Sequence, residues 1–393
     1  KSLINSYFNY IINKLSLGKA VSMIFYGKEI KATTNGMVIT ASNKAEENMI
    51  NSRLNEIINT YHKIGFGSLN LKIELLDGGN ELKEEIKNIQ EPRRTRYGNV
   101  RHKLEDIIII GLCTLICGGE DFADMEAFGK SRQKYLAKFL ELPNGIPDSD
   151  TFRRLFERIN PSELSSCLIN WITVERTKRG TVAIEGKTIC GSGNNDHKAY
   201  HVISAFIAEN QLTLGEICVE EKTNEITAVP ELLDLIDVKG DIITADAMSC
   251  QKKIVEKIIN KKADYAIGLK HNQPSLYKDT EDYFKEFSND IPSKTTLNKG
   301  HGRIEKREYR LLTDLSWLEQ KADWAGLNGL GCVKSIVTEN EGTHEFTRYF
   351  ITSLTDINEF SDSVRKHWSI ENQLHWCLDV IFREDASRAR KDN

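Results

Sequence analysis

From Thr181 onward, the order of predicted elements constrains the fold more than any single motif does. TVAIEGKTI (181–189), HVISAFIAE (201–209) and QLTLGEICVEE (211–221) read as three strands, with a short turn near Asn210 joining the last two. They should form an antiparallel meander. EITAVPELLDLI (225–236) reads as a helix. GDIITADAM (240–248) is a fourth strand, short and apolar, as expected of a parallel strand covered on both faces. SCQKKIVEKIINKKA (249–263) is a second helix and DYAIGLK (264–270) a fifth strand. A right-handed crossover would lay the fourth strand against the first.

This order of three strands, helix, strand, helix, strand is that of the RNase H-like fold, so a mixed five-stranded sheet is expected within residues 181–393. The strand period then brings acids together. Ala183, Glu185 and Lys187 share one face of the first strand, and Ile242, Thr244 and Asp246 share one of the fourth. Glu185 and Asp246 should meet at the edge where open sheets of this kind bind ligands. A third acid comes from WSIENQLHW (368–376), where Val364, Trp368, Glu371, His375 and Leu378 fall on one helical face beside an apolar stripe of Ile370, Leu374, Cys377 and Ile381. A carboxylate expected to be buried needs a pair, hydrogen bonds or a metal. Three oxygen donors with no thiol nearby suit two Mg²⁺ or Mn²⁺ ions, the arrangement that serves phosphodiester chemistry. Each acid also has a local reading: Glu185 paired with Lys187, Asp246 capping the following helix, Glu371 paired with His375 or Arg365. A zinc site of His367, Glu371 and His375 is a further reading, disfavoured by its aromatic setting.

Upstream, residues 93–178 read as all helix, with Leu104–Cys117, Phe122–Phe128 and Arg132–Leu140 as separate helices. PNGIPDSDTFRRLFERINP gives a turn, a cap at Asp148 or Ser149, and a helix ended by Pro161. Arg153, Arg154 and Arg158 on that helix could grip phosphates or simply be solvated. Residues 1–90 read as a small α/β accessory domain, weakly similar to the N-terminal domain of bacterial replication initiators: helix at 3–15, strand at 36–42, long helix at 45–64, closing strand at 69–76. A strand-rich insertion is expected at about 290–355, around Arg303–Leu312 and Cys332–Ser353.

Bulk properties narrow the class. Eight cysteines are scattered with no CxxC pair, which argues against a zinc ribbon and for reduced thiols. No apolar run reaches the ~20 residues of a membrane span, and the reading is a cytoplasmic protein. The net charge of −4 gives no global argument for nucleic acid. Local clusters do: Arg93, Arg94, Arg96, Arg101, His102 and Lys103 lie within one short stretch.

VAIEGKTI, AYHVISAF, KTNEI, ITADAMSCQ, DYAIGLKHNQ, HGRIEKREY and HWSIENQLHWCLDVIFREDASRARKDN, in this order, resemble the DDE-type insertion-sequence transposases of the H-repeat-associated branch. GIPDSDTFRRLFERINP and HKLEDIIIIG resemble the helical segment preceding the catalytic domain there. The resemblance covers about 93–393. It implies a transposase that cuts transposon ends and joins them to target DNA, with two Mg²⁺ or Mn²⁺ ions and double-stranded DNA bound by a homodimer. Carried over, the acids are Glu185, Asp246 and Glu371. Glu185 stands where the family usually has Asp, which moves its carboxylate by roughly one bond length. The chain also stops where relatives usually run on. An impaired, DNA-binding relative is therefore the alternative, and a structure-directed nuclease a second. Lys187, Lys270, Asn272, Gln273, His301, Arg303, Arg307, Arg365, His367 and Asn372 are the expected DNA contacts near the acids, with Trp368 and Trp376 assigned to the core.

Overall fold

The structure is a computed structural model that describes residues 30–33, 36–41, 70–75, 78–94, 100–176, 179–193, 198–219, 225–300, 303–339 and 342–387. The helices expected at 3–15 and 45–64, and the residues Arg96 and His301, lie outside them. The chain divides into two compact units, residues 1–171 and 172–393.

The first unit opens with β1 (Ile30–Thr33), β2 (Gly36–Ala41) and β3 (Asn70–Leu75); β1 and β2 are antiparallel, β2 and β3 parallel. Helices α1 (Gly78–Ile86), α2 (Leu104–Ile116), α3 (Phe122–Leu136), α4 (Ser149–Phe156) and α5 (Pro161–Glu175) follow. The isoleucine run of α2 supplies the core, packed on Leu136, Phe152 and Leu155. Two boundaries differ from expectation. The segments 122–128 and 132–140 were expected as separate helices, but α3 runs unbroken through Gly129, which abuts the Ile146 side chain. Pro161 starts α5 rather than ending α4, since a first-turn proline has no hydrogen bond to lose. Asp148 caps α4 by accepting from Thr151 N–H.

The second unit is built on β4 (Thr181–Thr188), β5 (His201–Ile207), β6 (Leu212–Val219), α6 (Glu225–Leu235), β7 (Ile242–Ala245), α7 (Lys252–Asn260), β8 (Asp264–Leu269), α8 (Pro274–Phe287), β9 (Ser293–Gly300), β10 (Arg303–Leu312), β11 (Gly329–Glu339), β12 (Gly342–Thr352) and α9 (Ile357–His367). All these strands join one nine-stranded sheet, ordered β6-β5-β4-β7-β8-β12-β11-β10-β9. β4, β7 and β8 run parallel, so the fourth strand of the expected set does lie against the first.

The sheet is larger than the five strands expected. The insertion does not stand apart: β12 pairs antiparallel with β8, from Tyr349 opposite Leu269 to Thr352 opposite Ala266, and carries the sheet onward. This covers the apolar edge that β8 would otherwise leave open to wrong partners. β10 is an inner strand, and the sheet's edge on this side is the polar β9, SKTTLNKG. Helix α9 packs on the face formed by Ala266, Tyr309, Leu311 and Val333 through Phe360 and Val364. Gly331 permits the close approach, because a Cβ there would fall 2.2 Å from the Phe360 ring. After α9 the chain enters a π-helical turn (Ile370–His375) and then α10 (Trp376–Val380).

Candidate active site

The parallel register of β4 and β7 ends at Ile184 opposite Ala245, so the next residues, Glu185 and Asp246, fall side by side where β7 finishes. Strand alternation points Glu185 to the same face as Ala183. On that face Ile370, fully buried, packs against Ala183 and Phe206 with Leu374. That anchor sets the π turn over β4, and Glu371, the next residue, brings its carboxyl into hydrogen-bonding reach of Glu185. The acids from β4 and the π turn are thus in contact, with the acid after β7 beside them.

Glu371 is exposed, whereas helical phasing with Val364 predicts burial. The reason is the π turn, whose wider winding breaks the four-residue phase and gives the buried position to Ile370. The same break disposes of the zinc reading. His367 Nδ1 lies 3.1 Å from Thr244 Oγ1, while His375 has its Nε2 buried with no hydrogen-bond partner, and Lys187 is among the charges acting on it.

The electrostatics differ from acid to acid. Burial, then the charges of Glu371 and Asp246, push the Glu185 carboxyl up to about 8. One of its oxygens, Oε2, is buried with no hydrogen-bond partner. Asp246 is held below the usual carboxylate range, chiefly by the His367 imidazole, with Lys270 and Arg348 assisting against desolvation. His367 Nε2 stands 3.9 Å from Asp246 Oδ1. Asp246, extended in backbone, provides no side-chain cap to the short turn after it, so the capping role considered for it is not used there. Among the described residues no three acidic, histidine or cysteine side chains already converge as a metal site. Asp246 is turned toward His367, and a cation would have to draw it inward. The orphaned oxygen of Glu185 and the all-oxygen donor set nevertheless fit a hard divalent cation.

Glu185 and Asp246 open onto a cleft of about 240 Å³, lined also by Gly186, Glu225, Ala247, Met248, Lys270 and Asn272. Of the expected DNA contacts, several are engaged within the protein. Lys187 is bound by Asp379 at 2.7 Å, Glu384 at 2.9 Å and Asp385 at 3.1 Å, with its side chain only 11% exposed. Asn272 and Gln273 donate to the carbonyls of Ala247 and Cys250, bracing the turn that follows Asp246. His367 serves Thr244 and Asp246. Asn372 donates to the Trp368 carbonyl, and Arg307 is paired with Glu305. In the first unit, Arg153 and Arg154 pair with Asp150, and Arg153 also with Glu157, all on their own helix. Lys270, Arg303 and Arg365 are exposed.

Sequence reasoning missed Arg348. It projects from β12 on the α9 side, its guanidinium 4.9 Å from the Trp368 ring centre, and its charge reaches Asp246. Only the pairing of β12 with β8 brings it there; the aromatic–basic pairing has no local spacing that could reveal it. Trp376, assigned to the core by sequence, is 54% exposed. No described helix is long and apolar enough to cross a membrane.

Comparison with known families places these elements in context. "Transposase DDE domain" matches residues 168–393, "DDE_Tnp_1-associated" residues 83–172, and "DNA polymerase III polC-type N-terminus II" residues 6–97. "H repeat-associated putative transposase YhhI" of Escherichia coli K12 is 39% identical over 80% of this chain and 86% of its own. "Putative transposase YncI" of Escherichia coli O157:H7 is 39% identical over 77% and 80%. A solved piggyBac transposase synaptic complex with hairpin DNA overlaps 81% of this chain and 70% of that one, at a TM-score of 0.41 and 11% identity, too slight a likeness to bear on the fold. From the match over the whole second unit and these long relatives, this chain belongs to the DDE-type insertion-sequence transposases.

Proposed function

We propose that the chain cleaves DNA at the ends of its insertion sequence and joins the freed ends to target DNA, on an RNase H-like core, using Glu185, Asp246 and Glu371. The observation that carries this reading is the Glu185 oxygen, buried without a partner in a carboxyl whose ionisation the charges of Glu371 and Asp246 oppose. Acids that merely stabilise a fold are given a cation by the protein. Glu185 has none and is set against Glu371 and Asp246, an arrangement that a pair of Mg²⁺ or Mn²⁺ ions would relieve. Bound there, such ions would supply Lewis-acid stabilisation of the charge that develops during phosphoryl transfer.

The protein's own groups take the remaining work. Hydrolysis of a phosphodiester at the element's end leaves a 3′-hydroxyl, whose attack on a target phosphodiester forms the new bond and expels the target's 3′ oxygen. No protein nucleophile is required. His367 orients Asp246 from α9, and Asn272 with Gln273 holds the turn beneath it. Lys270 at the cleft and Arg348 beside Trp368 offer positive charge for the DNA backbone. Trp368 supplies a ring on which an unpaired base could stack. Arg303 and Arg365 extend the basic surface. A homodimer holding two ends fits the paired-end chemistry.

The test is cleavage of a plasmid bearing the flanking ends of the element, in Mg²⁺. Asp246→Ala should abolish cleavage and leave end binding in gel shifts intact. Unchanged cleavage removes Asp246 from the chemistry. Wild-type binding without any cleavage returns the protein to the class of impaired, DNA-binding relatives.

A further inference from the structure

Beyond the three acids, a further carboxylate faces the cleft that Glu185 and Asp246 line. Glu225, the first residue of α6, lines it together with Glu185 and Asp246, and its charge acts on Glu185. It is held in place. His201 Nε2 lies 2.6 Å from Glu225 Oε1, and His201 Nδ1 lies 2.9 Å from Thr188 Oγ1, so both ring nitrogens are engaged and the imidazole is fixed in orientation. His201 is almost fully buried, with its side chain 3% exposed and that of Glu225 13%. The pair sits directly against β4, one residue beyond Glu185. A Cβ on Gly186 would stand 2.3 Å from His201 Nε2 and 2.6 Å from Glu225 Oε1, so only glycine at this position leaves room for it. Strand alternation puts this pair on the face of the sheet opposite Glu371, and the cleft that the pair enters is bounded by Glu185 and by Asp246 at the end of β7.

We infer that Glu225 is a fourth acidic ligand of this site, supplying an oxygen to one of its divalent cations, and that His201 and Gly186 are positioning residues for it. The inference rests on the proposed function. An imidazole that fixes a carboxylate beside a metal site governs ligand orientation, and loss of such support typically weakens metal binding about 10–100-fold. A helix-start glutamate serving only α6 would need neither a buried imidazole nor a glycine carved into the neighbouring strand.

The experiment is calorimetric titration of the full chain with Mn²⁺, without DNA, for the wild type, Glu225→Gln, Gly186→Ala and Asp246→Asn. Thermal unfolding of each confirms that it is folded. The expected result is a loss of Mn²⁺ affinity of about 10–100-fold in Glu225→Gln, with a similar loss in Gly186→Ala, where both side chains of the pair remain but are displaced. Wild-type binding by Glu225→Gln, alongside lost binding by Asp246→Asn, overturns the inference and leaves the proposed function standing. Wild-type binding by both variants removes the metal site itself, and the inference with it.

Discussion

Two acidic clusters lie on the same face of strand β4, two residues apart, and the protein treats them in opposite ways. At Lys187, three acids from α10 and the segment after it, Asp379, Glu384 and Asp385, converge on a single ammonium group. At Glu185, Glu371 and Asp246 crowd a carboxyl that has no cation of its own, and its proton affinity rises accordingly. The first cluster ties the C-terminal segment to the sheet. The second is held in an unfavourable state that only a proton or an added cation relieves. On the proposed function, compensation rather than acidity separates a structural cluster from one that serves chemistry.

The contrast is broken most severely at Lys187. Lys187→Met leaves partly buried acids unpaired and should destabilise the protein by about 3 kcal/mol at pH 7, read from urea unfolding. Part of the loss should be recovered near pH 4, as those acids protonate. A loss under about 0.5 kcal/mol would make the cluster an ordinary surface network.

Glu185→Gln should act in the opposite direction in metal-free buffer. A carboxyl whose folded value lies near 8, against 4.5 unperturbed, binds its proton more tightly folded than unfolded. Stability is therefore undiminished below about pH 4.5, falls as the pH rises through this window, and is lowest above about 8. The variant escapes that loss, so its advantage should be absent at pH 4 and reach on the order of 2 kcal/mol at pH 8, after allowance for solvent screening. Added Mg²⁺ should narrow the gap by stabilising only the wild type. An advantage independent of pH would show that Glu185 is not the strained group.

Glu371→Gln sharpens the same comparison. Removing its charge should lower the midpoint of that pH dependence by roughly one unit, which unfolding midpoints measured across pH 4–9 would reveal. The smallest effect is expected at the basic surface. Arg348→Ala should weaken DNA binding by about 1 kcal/mol and reduce the salt slope by about one, with stability little changed. An unaltered slope would reassign Arg348 to steadying Trp368.

Much of this was legible in the sequence because it is carried by local pattern. The strands and helices of 181–269 follow from periods of two and 3.6, and the adjacency of Glu185 and Asp246 follows from one handedness rule. The exposed state of Glu371 was not legible, since a π turn depends on how Ile370 seats on Ala183 and Phe206. Nor was the partnership of Lys187: its three acids lie nearly two hundred residues away, and any of several phosphate or carboxylate partners suits a lysine. The unbroken α3 likewise depends on Ile146 filling the space beside Gly129.

By itself, the sequence determined which residues could be acidic ligands and which strands would carry them, because side-chain direction along a strand is fixed by backbone geometry. Tertiary structure alone decided which of those charges would be neutralised. It turned Lys187 and His367 inward to acids of their own chain and joined the inserted strands to β8, which delivers Arg348 beside Trp368. Charge compensation acts through space over a few ångströms, and that distance has no counterpart along the chain.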